Sequence, residues 1–129
     1  MSDSRPPVAI GHVRLHCKDL EAGKRFYVAL GMRPCDSVSV PGVYYVLELR
    51  GGTHLLLVQS PDEMMEILDP TFDLMVDDIG AFRDHLEAHH IACTEVTFHQ
   101  LIGHRRFFVT DPDGRRIAIH SSHTEGRSV

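Results

Sequence analysis

Ten histidines among 129 residues give this chain a store of groups that change charge near neutrality and bind metals through either ring nitrogen. Chemistry requires several of them to converge. His12 and His16 lie four apart in HVRLH, His54 opens HLLLV, and His120 and His123 close DPDGRRIAIHSSH. On a strand, His12 and His16 share a face but stand roughly 13 Å apart, so they do not share one ion unaided. His120 and His123 fall on opposite faces unless the chain turns at Ser121-Ser122. His12, His16 and His120 are candidates for acid–base work. Glu48, on the same strand face as Tyr44, is a candidate carboxylate partner. His89-His90 sits at a helix C-terminus, where an imidazolium favours the helix dipole.

The cysteines point elsewhere. Cys17, Cys35 and Cys93 are odd in number and lack CxxC spacing, against a disulfide framework and against a thiolate zinc site. Cys17 reads as a small buried hydrophobe. The net charge is −5 and the pI about 6.0. With no basic stripe, nucleic acid is not an expected partner. No run is apolar for the roughly 18 residues a membrane span needs, and the first ten residues lack a signal core. A reducing cytoplasm is the expected location.

The elements that position these residues come in two copies. GHVRLHCKDLEAGKRFYVALGM (11–32) and PTFDLMVDDIGAFRDHLEAHHI (70–91) share an apolar pattern when Asp19 is set over Asp78. Each copy is a strand with period two followed by a helix. Asp19 and Asp78 are natural N-caps, and Gly31 a natural stop for the first helix. Three strands follow each helix, near 33–39, 43–50 and 54–59, then near 93–98, 104–110 and 115–120, with turns at Pro41-Gly42, Gly51-Gly52 and DPDG. The expectation is an α+β fold of two β-α-β-β-β modules. Together they form one domain over 1–129: module one at about 8–60, a helical linker at 61–69, module two at about 70–121 and a loose tail at 122–129.

Strand alternation sorts the side chains. Val13, Leu15 and Cys17 pack under the first helix, leaving His12, Arg14 and His16 on the other face. Leu55 and Leu57 go under, leaving His54, Leu56 and Val58. In module two, Phe72, Leu74 and Val76 go under, leaving Thr71, Asp73 and Met75; Ile117 and Ile119 go under, leaving Arg116, Ala118 and His120. The expected sheet is curved and mixed. Its helices lie outside, and its free face cups a small ligand.

With these residues in place, HVRLHCKDLEAGKRFYVALGM at 12–32 and FFVTDPDGRRIAIH at 107–120 resemble the vicinal-oxygen-chelate superfamily. That group includes glyoxalase I, fosfomycin- and bleomycin-resistance proteins and extradiol dioxygenases. The resemblance spans about residues 10–121 and implies a ligand-binding cup, with a homodimer as in the bleomycin-resistance branch. It also implies a metal site, usually with a His from each module's first strand and a Glu four residues after a turn glycine. Carried over one at a time, those positions are His12, Thr71, Leu56 and Ala118. Only His12 is retained, whereas zinc wants at least three strong donors. The expected function is small-molecule binding with the usual metal site lost and no cofactor, although other divalent-metal sites stay open. The alternative is a lyase, transferase or dioxygenase-type enzyme, working through relocated ligands (His12, His54, His120) or through metal-free histidine chemistry.

Overall fold

Asp19 and Asp78 do cap two helices. Each carboxylate accepts from the backbone N–H three residues on, Ala22 at 3.1 Å and Ala81 at 3.0 Å. The computed structural model describes residues 7–60, 72–100 and 103–122. These fall into two compact units, one on either side of segment 61–71. Thr71, the linker expected at 61–69 and His123 lie outside the described residues.

Unit one runs β1 (His12–Cys17), α1 (Leu20–Ala29), β2 (Arg33–Pro34), β3 (Tyr44–Glu48) and β4 (His54–Gln59). Unit two runs β5 (Asp73–Val76), α2 (Ile79–Ala88), β6 (Thr97–His99), β7 (His104–Thr110) and β8 (Arg116–Ser121). The β-α-β-β-β repeat is therefore present twice. Each unit carries its own mixed four-stranded sheet, ordered β1-β4-β3-β2 and β5-β8-β7-β6. The first and last strands of each pair in parallel, and the other pairs are antiparallel.

Both helices end in the same hydrogen-bonded cap. Gly31, at φ 114°, donates to Val28 at 2.9 Å while Met32 donates to Tyr27 at 3.2 Å. In α2 the left-handed position is His90, at φ 62°, with its own N–H on Glu87 and that of Ile91 on Leu86, each at 3.0 Å. This two-bond pattern satisfies helix-end carbonyls that would otherwise lack partners.

Two strands are shorter than their apolar patterns predict. β2 stops at Pro34. The Cys35 N–H still donates to the Val46 carbonyl at 2.9 Å, but the Val46 N–H donates to the Ser39 hydroxyl at 2.9 Å instead of returning the bond. Asp36–Val38 turn as a 3₁₀ helix. β6 covers Thr97–His99 rather than 93–98. Upstream of it, the carbonyl of Thr94 accepts from Arg83 of α2 at 2.9 Å, and the Thr94 hydroxyl accepts from the N–H of Phe108 at 2.8 Å. One backbone bond, from the Thr94 N–H to the Phe108 carbonyl at 3.1 Å, runs beside these side-chain bonds.

Burial follows alternation in unit one and in β7. In β8, by contrast, Ala118 and His120 are buried along with Ile117 and Ile119, and Phe72, Leu74 and Val76 are only half-buried. Leu15, Cys17, Tyr45, Leu47, Leu55 and Leu57 are buried on the helix side of unit one, as are Phe107, Val109, Ile117 and Ile119 in unit two. Helix α1 approaches closely because Gly23 faces Cys17: a Cβ there would lie 2.9 Å from Sγ. Gly23→Val is expected to lower stability by about 2 kcal/mol, within the roughly 1–3 kcal/mol cost of overpacking a core. Urea unfolding midpoints of the two proteins check this.

The same interface sets a pH dependence. The Tyr45 hydroxyl donates to the Glu21 carboxylate of α1. That bond, then desolvation, raises the phenol above its ordinary 10.0. A group raised in the folded state contributes stability that is complete below the unfolded value and lost as pH rises through the folded one. Wild type is thus expected to lose stability progressively above pH 10.0. Tyr45→Phe is expected to flatten that alkaline limb, as thermal melts at stepped pH would show.

Candidate functional site

On the free face of unit one, strand register builds three rows across β1, β4 and β3. They are His12–His54–Glu48, Arg14–Leu56–Val46 and His16–Val58–Tyr44. The rows follow from two facts of sequence: period-two alternation puts these residues on one face, and the hairpin over Leu49–Thr53 fixes which of them are neighbours. Gly51 and Gly52 take φ of 82° and 87° in that hairpin, a region that favours glycine. The first row is pinned at its end: the Thr53 hydroxyl donates to the Ile10 carbonyl and the His54 N–H to the Gly11 carbonyl, both at 2.8 Å.

The second and third rows enclose an open concavity of about 200 Å³, lined by Arg14, His16, Tyr44, Leu56 and Val58. Its floor is aliphatic. Its polar groups are the exposed Arg14 guanidinium, the His16 imidazole and the Tyr44 phenol. Such a surface can hold an apolar body on Leu56 and Val58 while a cation engages one acidic group.

The first row has a different character. The rings of His12 and His54 lie 5.8 Å apart, tilted by 36°. Glu48 is the register partner of His54 and forms an ion pair with Arg33, its register partner on β2. Glu48 was a candidate partner for a histidine with no neighbour assigned; its register partner is His54. Cys35 was missed. Its thiol, the Glu48 carboxylate and the His54 ring place donor atoms within 4.8 Å of one another. A strand drawn through 33–39 hid this, because the chain leaves β2 at Pro34 and turns back toward β3.

Unit two presents Asp73–Ala118–Phe108 and Met75–His120–Arg106 as its rows. Ala118 and His120 are only 6% and 8% exposed. His120 Nε2 lies 3.2 Å from Asp73 Oδ2, a diagonal contact between parallel neighbours. Its ring meets that of His104 edge-on at 5.8 Å. With Nε2 directed at a carboxylate, Nδ1 is the remaining acceptor in the neutral tautomer, and among the described residues it is buried without a partner. Phe108 is flanked by two guanidinium groups, Arg116 at 3.8 Å and Arg106 at 5.1 Å from the ring centre. His12 and His54 are thus neighbours in unit one, whereas His120 is tied to Asp73 and His104 in unit two.

The family's metal positions can be tested against these surroundings. Leu56 sits between Arg14 and Val46, and Ala118 between Asp73 and Phe108. Neither offers a donor. Among the described positions only His12 is of a ligating type, and that set does not fit a metal requiring at least three donors.

The family itself is shown by comparison. The sequence matches the Glyoxalase/Bleomycin resistance protein/Dioxygenase superfamily over residues 9–119, and the chain belongs to that superfamily. Its fold is similar to an integron cassette protein from the mobile metagenome of Halifax Harbour sewage outfall, with TM-score 0.74, 16% identity and coverage of 88% of this chain and 98% of that one. It is similar to lactoylglutathione lyase from Agrobacterium tumefaciens, with TM-score 0.71, 20% identity and coverage of 95% and 100%. It is also similar to TnmS3, an antibiotic-binding protein from Streptomyces sp. CB03234, with TM-score 0.71, 23% identity and coverage of 91% and 98%. No curated protein matches the sequence. Among the described residues no helix is long and apolar enough to cross a membrane.

Proposed function

We propose that this protein binds a small organic molecule on the free face of module one, without the family's usual metal. The two modules act as one domain in this reading. The carrying observation is the pair of rows Arg14–Leu56–Val46 and His16–Val58–Tyr44 around a concavity of about 200 Å³. Leu56 stands in the floor where the family's carboxylate belongs. Removing that carboxylate removes both a metal donor and a negative charge, and leaves the Arg14 cation to a ligand. The volume is below the roughly 300–1,000 Å³ of drug-sized pockets, which favours a compact ligand: one ring or branched chain bearing one carboxylate or phenolate. The similarity to an antibiotic-binding protein supports a binding role.

Arg14→Ala is expected to weaken an aromatic carboxylate by about tenfold or more, since a charge-assisted hydrogen bond contributes roughly 1.5–3 kcal/mol. The neutral amide of the same compound is expected to bind wild type and variant alike. Ligand-observed NMR with both compounds checks this, and equal effects on acid and amide would remove Arg14 from the site. The reading also includes a homodimer in a reducing cytoplasm. The exposed Val38, Val40 and Val43 support the dimer, and light scattering of the purified chain tests it.

A second reading is metal-free acid–base catalysis by His120, favoured by the Asp73–His120 contact. It predicts turnover of an electrophilic small substrate that is lost in His120→Gln. No turnover across glutathione hemithioacetals, epoxides and catechols would count against it.

A further inference from the structure

We infer that Cys35, Glu48 and His54 form a binding site for one divalent cation of the zinc class, separate from the superfamily's own metal positions. Three ligating side chains at one end of this sheet are brought together by three local devices. The β3–β4 register sets His54 opposite Glu48. The Arg33 guanidinium pairs with the Glu48 carboxylate and orients it. The backbone of Cys35 is clipped to β3: its N–H donates to the Val46 carbonyl at 2.9 Å, and its carbonyl accepts from the Ser39 hydroxyl at 2.8 Å. That hydroxyl in turn accepts from the Val46 N–H at 2.9 Å.

The geometry is close to what an ion needs. The donor atoms lie within 4.8 Å of one another. Bonds of about 2.0–2.3 Å in a tetrahedron put zinc donors roughly 3.3–3.8 Å apart. A shift of about one ångström by rotamer adjustment closes that gap. The thiol's present contact is a weak one, to the Arg33 carbonyl at 3.8 Å, and gives way when the proton leaves and sulfur binds metal.

Donor chemistry selects the ion. A thiolate, an imidazole and a carboxylate suit zinc and its neighbours, whereas calcium and magnesium want oxygen alone. Three protein donors leave a fourth tetrahedral position open. His12, the one retained family ligand, is the next residue along the row and is not among the three. The Arg33–Glu48 pair orients the carboxylate from outside, as outer-shell partners do. The site lies one pleat, roughly 7 Å, from the Arg14–Leu56–Val46 row. It stands or falls independently of the ligand proposed there.

The test uses the full chain stripped with chelator and titrated with Co²⁺ alone. The expected result is a thiolate-to-cobalt charge-transfer band that saturates at one ion per chain and is displaced by Zn²⁺. Cys35→Ser is expected to abolish the band. Glu48→Gln and His54→Ala are each expected to weaken cobalt by more than about 100-fold, beyond the tenfold to hundredfold of an outer-shell loss. His12→Ala is expected to keep both band and stoichiometry. In wild type, Zn²⁺ is expected to protect Cys35 from alkylation, read by mass spectrometry, which keeps the test independent of how any variant folds. No band in wild type, no protection of Cys35, or a band lost with His12→Ala but kept with Cys35→Ser would each overturn the proposal.

Discussion

Asp111→Ala is expected to lower folding stability by about 3 kcal/mol, at the lower end of the roughly 3–5 kcal/mol lost when one partner of a buried ion pair is removed. Asp111 begins DPDG, the turn that joins β7 to β8. Its side chain is 0% exposed and that of its partner Arg115 only 11%. One carboxylate oxygen accepts from the backbone N–H of Asp113 and of Arg115, each at 2.9 Å; the other accepts from Arg115 Nη1 at 2.7 Å. Alanine would leave two N–H groups and a largely buried guanidinium without that acceptor. Asp113, whose carboxylate is 3.5 Å from the same guanidinium, offsets part of the loss and keeps the figure low in the range. Asp111→Asn retains an acceptor but not the charge, and is expected to cost about half as much. Urea titration reads both variants; an unchanged slope with a lower midpoint marks a true stability change. A loss below about 1 kcal/mol for alanine would mean that the turn is held by its backbone alone, through the Asp111–Arg115 and Gly114–Asp111 bonds of 2.8 and 3.0 Å.

Leu56→Glu is expected to have the largest effect on ligand binding. Leu56 lines the concavity, with Arg14 as its neighbour on β1 and Val46 as its neighbour on β3. Glutamate there removes an apolar contact, repels an acidic ligand and supplies Arg14 with an internal counter-ion. Losing a half-buried leucine contact contributes about 1–2 kcal/mol. Losing the guanidinium as ligand partner adds roughly 1.5–3 kcal/mol. Together these predict affinity for an aromatic carboxylate falling by about 100-fold or more. Leu56→Met, similar in volume and apolar, is expected to stay within about tenfold of wild type. Calorimetric titration of the three proteins against one compound measures the series. Similar losses in the Glu and Met variants would point to a packing defect rather than to the charge.

Much of the fold was legible because it rests on local rules. The duplicated apolar pattern, the aspartate caps and the glycine stop after α1 are read within a few residues of each other, and the structure repeats them. Face assignment was legible too, because alternation needs no partner: Leu15, Leu47, Leu55, Phe107 and Ile119 are buried as their positions require. What stayed hidden depends on register and on diagonals. That Glu48 faces His54 and that Asp73 reaches His120 follow from how far each strand slides along its neighbour. Cys35 was hidden for another reason. Its neighbours Arg33 to Ser39 look like a strand, but the Ser39 hydroxyl accepts from the Val46 N–H and donates to the Cys35 carbonyl, and the chain turns over Asp36–Val38.

The central claim is that the chain holds its ligand on the Arg14–Leu56 face without the superfamily's metal. The most direct measurement is equilibrium binding of an aromatic carboxylate panel to chelator-treated wild type, Leu56→Glu and His12→Ala, each with and without added Zn²⁺. A panel member is expected to bind metal-free wild type and His12→Ala alike and to be lost in Leu56→Glu. Binding that appears only when Zn²⁺ is added, and disappears in His12→Ala, would contradict it.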